Sequence, residues 1–243
     1  MFVEEYGKEN EKIIIMLHGA NFVHTFAKQY PLAEKYHLIV PHLMGYGNET
    51  DKTFEAQAQV NALAEYIAGL GQRVALVGFS LGAQVACKLL SEHGELFTSA
   101  VIISPWLDKN NEMLNTVMAQ NEKQFALFKK KWLCSFVGFM NGLTKPQRKV
   151  FAEQMQKVTI ETVRNSVDNG ITLDSLKGFE NVNVPIYALA GSKEQAEVMG
   201  SVKALAEKNP KCKCEIWQNA AHNIPLMYAK RLNDLIESLM KKN

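Results

Sequence analysis

Cysteine is sparse in this chain and poorly placed for cross-linking. The 243 residues include four cysteines (Cys87, Cys134, Cys212 and Cys214), with no disulfide-framework or zinc-site spacing. Cys212 and Cys214 alternate along an expected strand, so their thiols point to opposite faces and suit neither a bridge nor a metal clamp. Charge of one sign is also missing. A formal net charge of +2 gives no global attraction to nucleic acid. No apolar run approaches the roughly 20 residues of a spanning helix, which argues against integral membrane association. The start, MFVEEYGKENEK, lacks the basic-then-apolar order of a secretory signal. There is no internal repeat or low-complexity tract. These absences point to a globular chain in a reducing, cytoplasmic setting with one large core.

Short apolar runs alternate with helical periodicity, the pattern of a mostly parallel sheet flanked by helices. Strands are expected at Ile13 to Leu17, Tyr36 to Val40, Val74 to Phe79, Ala100 to Ser104, Val184 to Gly191 and Cys212 to Gln218. The near-continuous apolar run Ile13 to Leu17 suits a strand covered on both faces. Helices are expected at about Thr25 to Lys35, Thr53 to Leu70, Ala83 to His93 (stopped by Gly94), Ala196 to Lys208 and Pro225 to Lys241. Between Leu107 and Phe179 the strand signal disappears and only helical pattern remains. There Thr144 and Gln147 stand at the cap and N3 spacing of a capping box. This divides the chain into a core of residues 1–106 and 180–243 and a helical insertion of residues 107–179.

The richest local signal is Gly78-Phe79-Ser80-Leu81-Gly82, a G-x-S-x-G turn between a buried strand and an amphipathic helix. Such a turn exposes a serine hydroxyl at the sheet edge, and its glycines remove Cβ atoms where strand and helix crowd. A serine nucleophile needs a base, and the base an orienting acid. His222 follows the last strand and emerges at the same edge, so it is the candidate base. Glu194 follows the preceding strand and is the candidate acid. Asp108, after the strand at 100–104, competes with it, and Glu197 is a weaker rival. Two backbone donors are needed for an oxyanion; Leu81 N–H, opening the helix after the serine, and Ala20 N–H, after His18-Gly19, are placed to supply them.

With these residues assembled, the chain resembles the α/β-hydrolase superfamily over nearly its whole length. The matching segments are His18-Gly19-Ala20, Pro41-His42-Leu43-Met44-Gly45-Tyr46-Gly47, Gly78 to Gly82, Gly191-Ser192-Lys193-Glu194 and Ala221-His222. The order serine, acid, histidine is the family's. The resemblance implies a Ser80–His222–acid triad, an oxyanion hole from the Ala20 and Leu81 amides, and a helical cap over the pocket. It departs in having Glu at 194, where Asp is common, and Pro41 where the loop often begins with Asp. The opening hairpin also looks shortened.

The expected activity is serine-dependent hydrolysis of a small to medium apolar ester, or a thioester, with no cofactor and no metal. The partner is then a small apolar acyl substrate, not nucleic acid, and a homodimer stays open. Rivals are other chemistry on the same scaffold (C–C hydrolase, lyase or haloperoxidase-like), a ligand sensor with negligible turnover, and a partner-binding module. His18 is expected to play a structural hydrogen-bonding role, and Ser104 is read as structural. His24, His37, His42 and His93 are read as ordinary surface or loop residues. Among the insertion's apolar residues Met113, Met118, Phe125, Phe128, Trp132, Phe136, Phe139, Met140 and Met155, most should pack its own core and a few should line the pocket. Residues 121–157 carry eight Lys/Arg against Glu122 and Glu153. That excess is either a solvated helix face or a surface that attracts an anionic substrate or lipid.

Overall fold

Strand β2 (Ile13–Leu17), all five residues buried, lies inside a seven-stranded sheet whose order is β1-β3-β2-β4-β5-β6-β7. The computed structural model describes residues 1–241, apart from the side chain of Asn111. The other strands are β1 (Val3–Tyr6), β3 (His37–Pro41), β4 (Val74–Phe79), β5 (Phe97–Ile103), β6 (Ile186–Gly191) and β7 (Cys212–Trp217). All neighbours are parallel except β1, which runs antiparallel to β3 at one edge. The apolar runs of the inner strands follow from their position: helices cover both faces, so neither face is selected for polarity. Two buried clusters result, one on each side of the sheet, centred on residues such as Leu76 and Ile102, and Val77 and Ile103.

Helices α1 (Ala56–Ala68), α2 (Leu81–His93), α7 (Ala196–Lys208), α8 (Ile224–Met227) and α9 (Ala229–Met240) accompany the sheet. Four more lie between β5 and β6: α3 (Asn111–Phe128), α4 (Lys131–Met140), α5 (Lys145–Lys157) and α6 (Ile160–Val167). The Gln147 half of the expected capping box is present, since Thr144 N–H donates to Gln147 Oε1 at 2.9 Å.

Two local expectations need correction. The stretch from Thr25 to Lys35 is two short 3₁₀ turns, Val23–Phe26 and Tyr30–Glu34; Pro31 lacks an N–H and cannot continue a helix begun upstream. Helix α2 does end at His93 as expected, with Gly94 (φ −56°) as its C-cap and the first residue of a 3₁₀ turn. The C-terminal helix is broken at Tyr228, where φ −119° and ψ 35° are not helical.

Candidate active site

The geometry begins at the junction of β4 and α2. Ser80 has φ 52° and ψ −116°, a conformation sparsely populated by residues carrying a Cβ. Its N–H is held by Ile103 O at 2.9 Å, while its C=O accepts from Ala83 and Gln84 N–H. The backbone is therefore pinned on both sides of the strained residue. Close packing makes the flanking glycines obligatory. A Cβ on Gly82 would lie 2.1 Å from Leu17 O, and one on Gly78 would lie 2.6 Å from Gly82 O.

The loops after β6 and β7 bring the partners in. They are stitched together: Ser192 N–H donates to Trp217 O, Lys193 N–H to Ala220 O, and Asn219 N–H to Ser192 Oγ. His222 Nδ1 lies 2.6 Å from Glu194 Oε2, and His222 Nε2 lies 3.0 Å from Ser80 Oγ. With the carboxylate accepting the hydrogen bond from Nδ1–H, Nε2 is the acceptor that faces the serine hydroxyl. The imidazole also leans on Phe79, ring centroids 4.9 Å apart.

Glu194 is almost completely buried, with a side-chain exposure of 2% against 54% for His222. Burial alone would raise its pKa. The hydrogen bonds from His222, the Gly191 amide (2.7 Å) and Ser104 Oγ (2.7 Å) outweigh that penalty and hold the carboxyl below the usual range. Asp108 does not share this role: the residue is exposed, and its backbone N–H donates to Ser201 Oγ. Glu197 sits in the first turn of α7, where its carbonyl accepts from the Ser201 hydroxyl.

His18 prepares the opposite wall. Its Nε2 accepts from Leu43 N–H at 3.0 Å, so the proton is on Nδ1 and is donated to Gly19 O at 2.7 Å. The ring is fully buried, and desolvation lowers its pKa to about 3, which keeps it neutral. Because a trans peptide points its C=O and N–H in opposite directions, drawing Gly19 O towards His18 turns Ala20 N–H away from it. Ala20 and Leu81 both line the cavity that contains Ser80 and His222. Leu81 N–H belongs to the first turn of α2, where helical amides have no intrahelical acceptor.

Two cavities meet at Ala20, Asn21, Ala221 and His222. One, about 520 Å³, carries polar side chains including Gln84, Gln120, Asn121, Gln124 and Ser166. The other, about 450 Å³, is mainly apolar, with Phe22, Phe79, Val137, Leu143, Phe151 and Leu226 in its wall. None of the nine insertion residues Met113 to Met155 named from the sequence borders either cavity. Trp132, Phe136, Phe139 and Met140 face outward instead, and Phe125, Phe128 and Met155 border only a crevice of about 10 Å³.

Some polar residues here escape sequence reasoning. Lys109 donates to Gln84 Oε1, Asn169 Oδ1 and Val167 O, and burial lowers its pKa to about 8. Asn169 Nδ2 also donates to Gln84 Oε1. With its oxygen so occupied, Gln84 offers its amide N–H groups to the polar cavity. Nothing in the local pattern around Lys109 signals this. Ser104 is likewise more than a strand-end residue, since it helps seat Glu194. His42 is no surface residue: it is 1% exposed, between Glu4 Oε1 and the Asn48 N–H. His24 and His37 also meet carboxylates, of Glu4 and Glu5. Among the described residues, no group of three or more His, Cys, Asp or Glu side chains is arranged to hold a metal.

The model of the alpha/beta hydrolase fold matches residues 12–226. The chain belongs to the α/β-hydrolase family. Solved structures of similar shape include a carboxylesterase of the ammonia-oxidizing thaumarchaeon Nitrososphaera gargenis, with TM-score 0.77 and 16% identity, covering 100% of this chain and 96% of that one. The esterase of Exiguobacterium antarcticum has TM-score 0.79 and 18% identity over 99% of this chain and 95% of its own. A bromoperoxidase from Bacillus anthracis has TM-score 0.79 and 18% identity, over 98% and 94%. At such identities the likeness is one of fold. No curated protein matches this α/β-hydrolase in sequence.

Proposed function

We propose that this α/β-hydrolase is a serine-dependent esterase that cleaves small to medium apolar esters, or thioesters, through an acyl-enzyme. The observation that carries this reading is the pair of bonds Glu194 Oε2···His222 Nδ1 and His222 Nε2···Ser80 Oγ, at 2.6 and 3.0 Å. His222 takes the hydroxyl proton as Ser80 Oγ attacks the carbonyl carbon, and Glu194 stabilises the imidazolium. The oxyanion is received by the Ala20 and Leu81 amides, each typically worth about 3 kcal/mol in the transition state. The imidazolium then protonates the leaving oxygen or sulfur. A water deprotonated by His222 attacks the acyl-enzyme and restores Ser80. The apolar cavity takes the acyl chain, the polar one the leaving group, and residues 107–179 act as the cap that shapes both.

The test is turnover of p-nitrophenyl acetate. Ser80→Ala should reduce kcat by about 10⁴-fold or more, with little loss of thermal stability. Turnover at the wild-type rate in that variant removes Ser80 from the chemistry. A variant-sensitive site that turns over esters very weakly would instead favour other chemistry on the same scaffold.

A further inference from the structure

Helix α4 leaves four large apolar side chains in water. Trp132, Phe136, Phe139 and Met140 are 69%, 54%, 59% and 63% exposed, while Cys134 and Gly138 of the same helix are buried. Spacings of three and four residues place the exposed group on one face. After Lys131 the helix has no charged residue up to Met140, so its exposed face lacks the charges usual on a surface helix of a free-standing domain. Leu127, at the end of α3, is 49% exposed as well. Scattered apolar residues on a surface need no explanation, but a continuous face does.

The ends of this face are basic. Lys130 and Lys131 open α4, Lys145 opens α5 just beyond it, and the Nζ of exposed Lys28 lies 3.4 Å from where a Cβ on Gly142 would stand. Among the described residues Lys28, Lys130, Lys131 and Lys145 form no ion pair with a carboxylate. The Arg148 guanidinium sits 5.3 Å from the Phe139 ring centroid.

We propose that the outer face of α4 docks on an anionic lipid bilayer surface, with the helix lying in the interfacial plane. Aromatic and methionine side chains would enter the headgroup and upper acyl region, and the lysines at both ends would meet lipid phosphates. Charge favours this occupant over a second copy of the chain, because a two-fold pair joined through α4 would set the same basic rim against itself. The inner side of the helix gives the contact a consequence. Val137 and Gly138 form part of the apolar cavity that reaches His222, so docking places that cavity beside the membrane. The docking itself does not depend on the serine chemistry.

The test is cosedimentation of the full chain with vesicles of phosphatidylcholine alone or mixed with phosphatidylglycerol, read together with tryptophan emission. Of the three tryptophans, Trp132 is the exposed one. Binding to the anionic vesicles should shift its emission to the blue; Trp132→Phe should lose the shift but still sediment. Phe136→Ser/Phe139→Ser should weaken binding at least tenfold while leaving short-ester turnover in solution intact, which reports a folded enzyme. Lys130→Ala/Lys131→Ala, confined to exposed side chains, should weaken it on the order of tenfold and remove the anionic preference. Ser80→Ala should bind like wild type, so failure of the esterase reading leaves this result standing. Absence of binding to anionic vesicles, or equal binding to both lipids, overturns the proposal. So does a vesicle-free dimer that Phe136→Ser/Phe139→Ser dissolves, which would assign the face to a second copy.

Discussion

Both oxygens of Glu194 are engaged, Oε2 by His222 and Oε1 by Gly191 N–H and Ser104 Oγ. Glu194→Gln should retain the Oε1 contacts but present an NH₂ to Nδ1. The imidazole would then accept there and carry its proton on Nε2, the wrong tautomer for receiving one from Ser80. A kcat loss of about 10³- to 10⁴-fold with near-normal KM is expected from steady-state kinetics. The carboxylate also couples folding to pH. Its folded-state pKa lies below the ordinary 4.5, so the ionised form contributes stability above that range and the contribution is lost as pH falls through the lower folded value. Glu4, hydrogen-bonded to His24, His42 and Tyr6, is also held low despite partial burial and acts in the same direction. Thermal melts should therefore show Tm falling as pH drops below about 4.5, with the fall blunted in Glu194→Gln; a flat acid limb in wild type would contradict this. At this scale the sequence exposed the residues that sit at strand ends in motif order, Ser80, Glu194 and His222. It did not expose Ser104 or Lys109, because their roles arise from side chains of distant segments (Glu194, Gln84 and Asn169) that no local pattern connects.

Strand β4 and helix α2 form the element on which the site is built, and its tolerance is set by backbone contact. Gly82→Ala would drive a Cβ to 2.1 Å from Leu17 O and 2.5 Å from His18 O, at the very segment that orients Ala20. Overpacking of this kind typically costs about 1–3 kcal/mol, measurable as a lower midpoint in urea unfolding; an unchanged midpoint would show that α2 can shift freely against β2. Buried parallel strands were readable throughout, because uninterrupted runs such as Ile13 to Leu17 fit few other environments. Helix boundaries near Pro31 and Tyr228 were not, since tertiary contacts decide how far a short turn continues. The insertion shows the same limit. Its helical character was plain, but which apolar residues face the cavities was not, as helix orientation decides whether Val137 or Phe136 turns inward.

Across the whole molecule, the parallel strands bring residues from separate loops to one sheet edge, and the helices between β5 and β6 line part of both cavities. The division into a polar and an apolar cavity makes an expectation about selectivity. Val137→Trp should fill part of the apolar cavity and lower kcat/KM for p-nitrophenyl hexanoate by about tenfold relative to acetate, as several buried methylenes lose their place. An unchanged ratio would mean that the acyl chain goes elsewhere. The fold was legible from alternation and motif order, whereas the two-cavity arrangement depends on how distant helices settle. The proposed chemistry turns most directly on Ser80 as the group that becomes acylated. Labelling with a fluorophosphonate, followed by mass spectrometry of proteolytic fragments, reads this out. The adduct should fall on the peptide containing Ser80, vanish in Ser80→Ala and form far more slowly in His222→Ala. A label elsewhere, or none under conditions where ester is turned over, would contradict it.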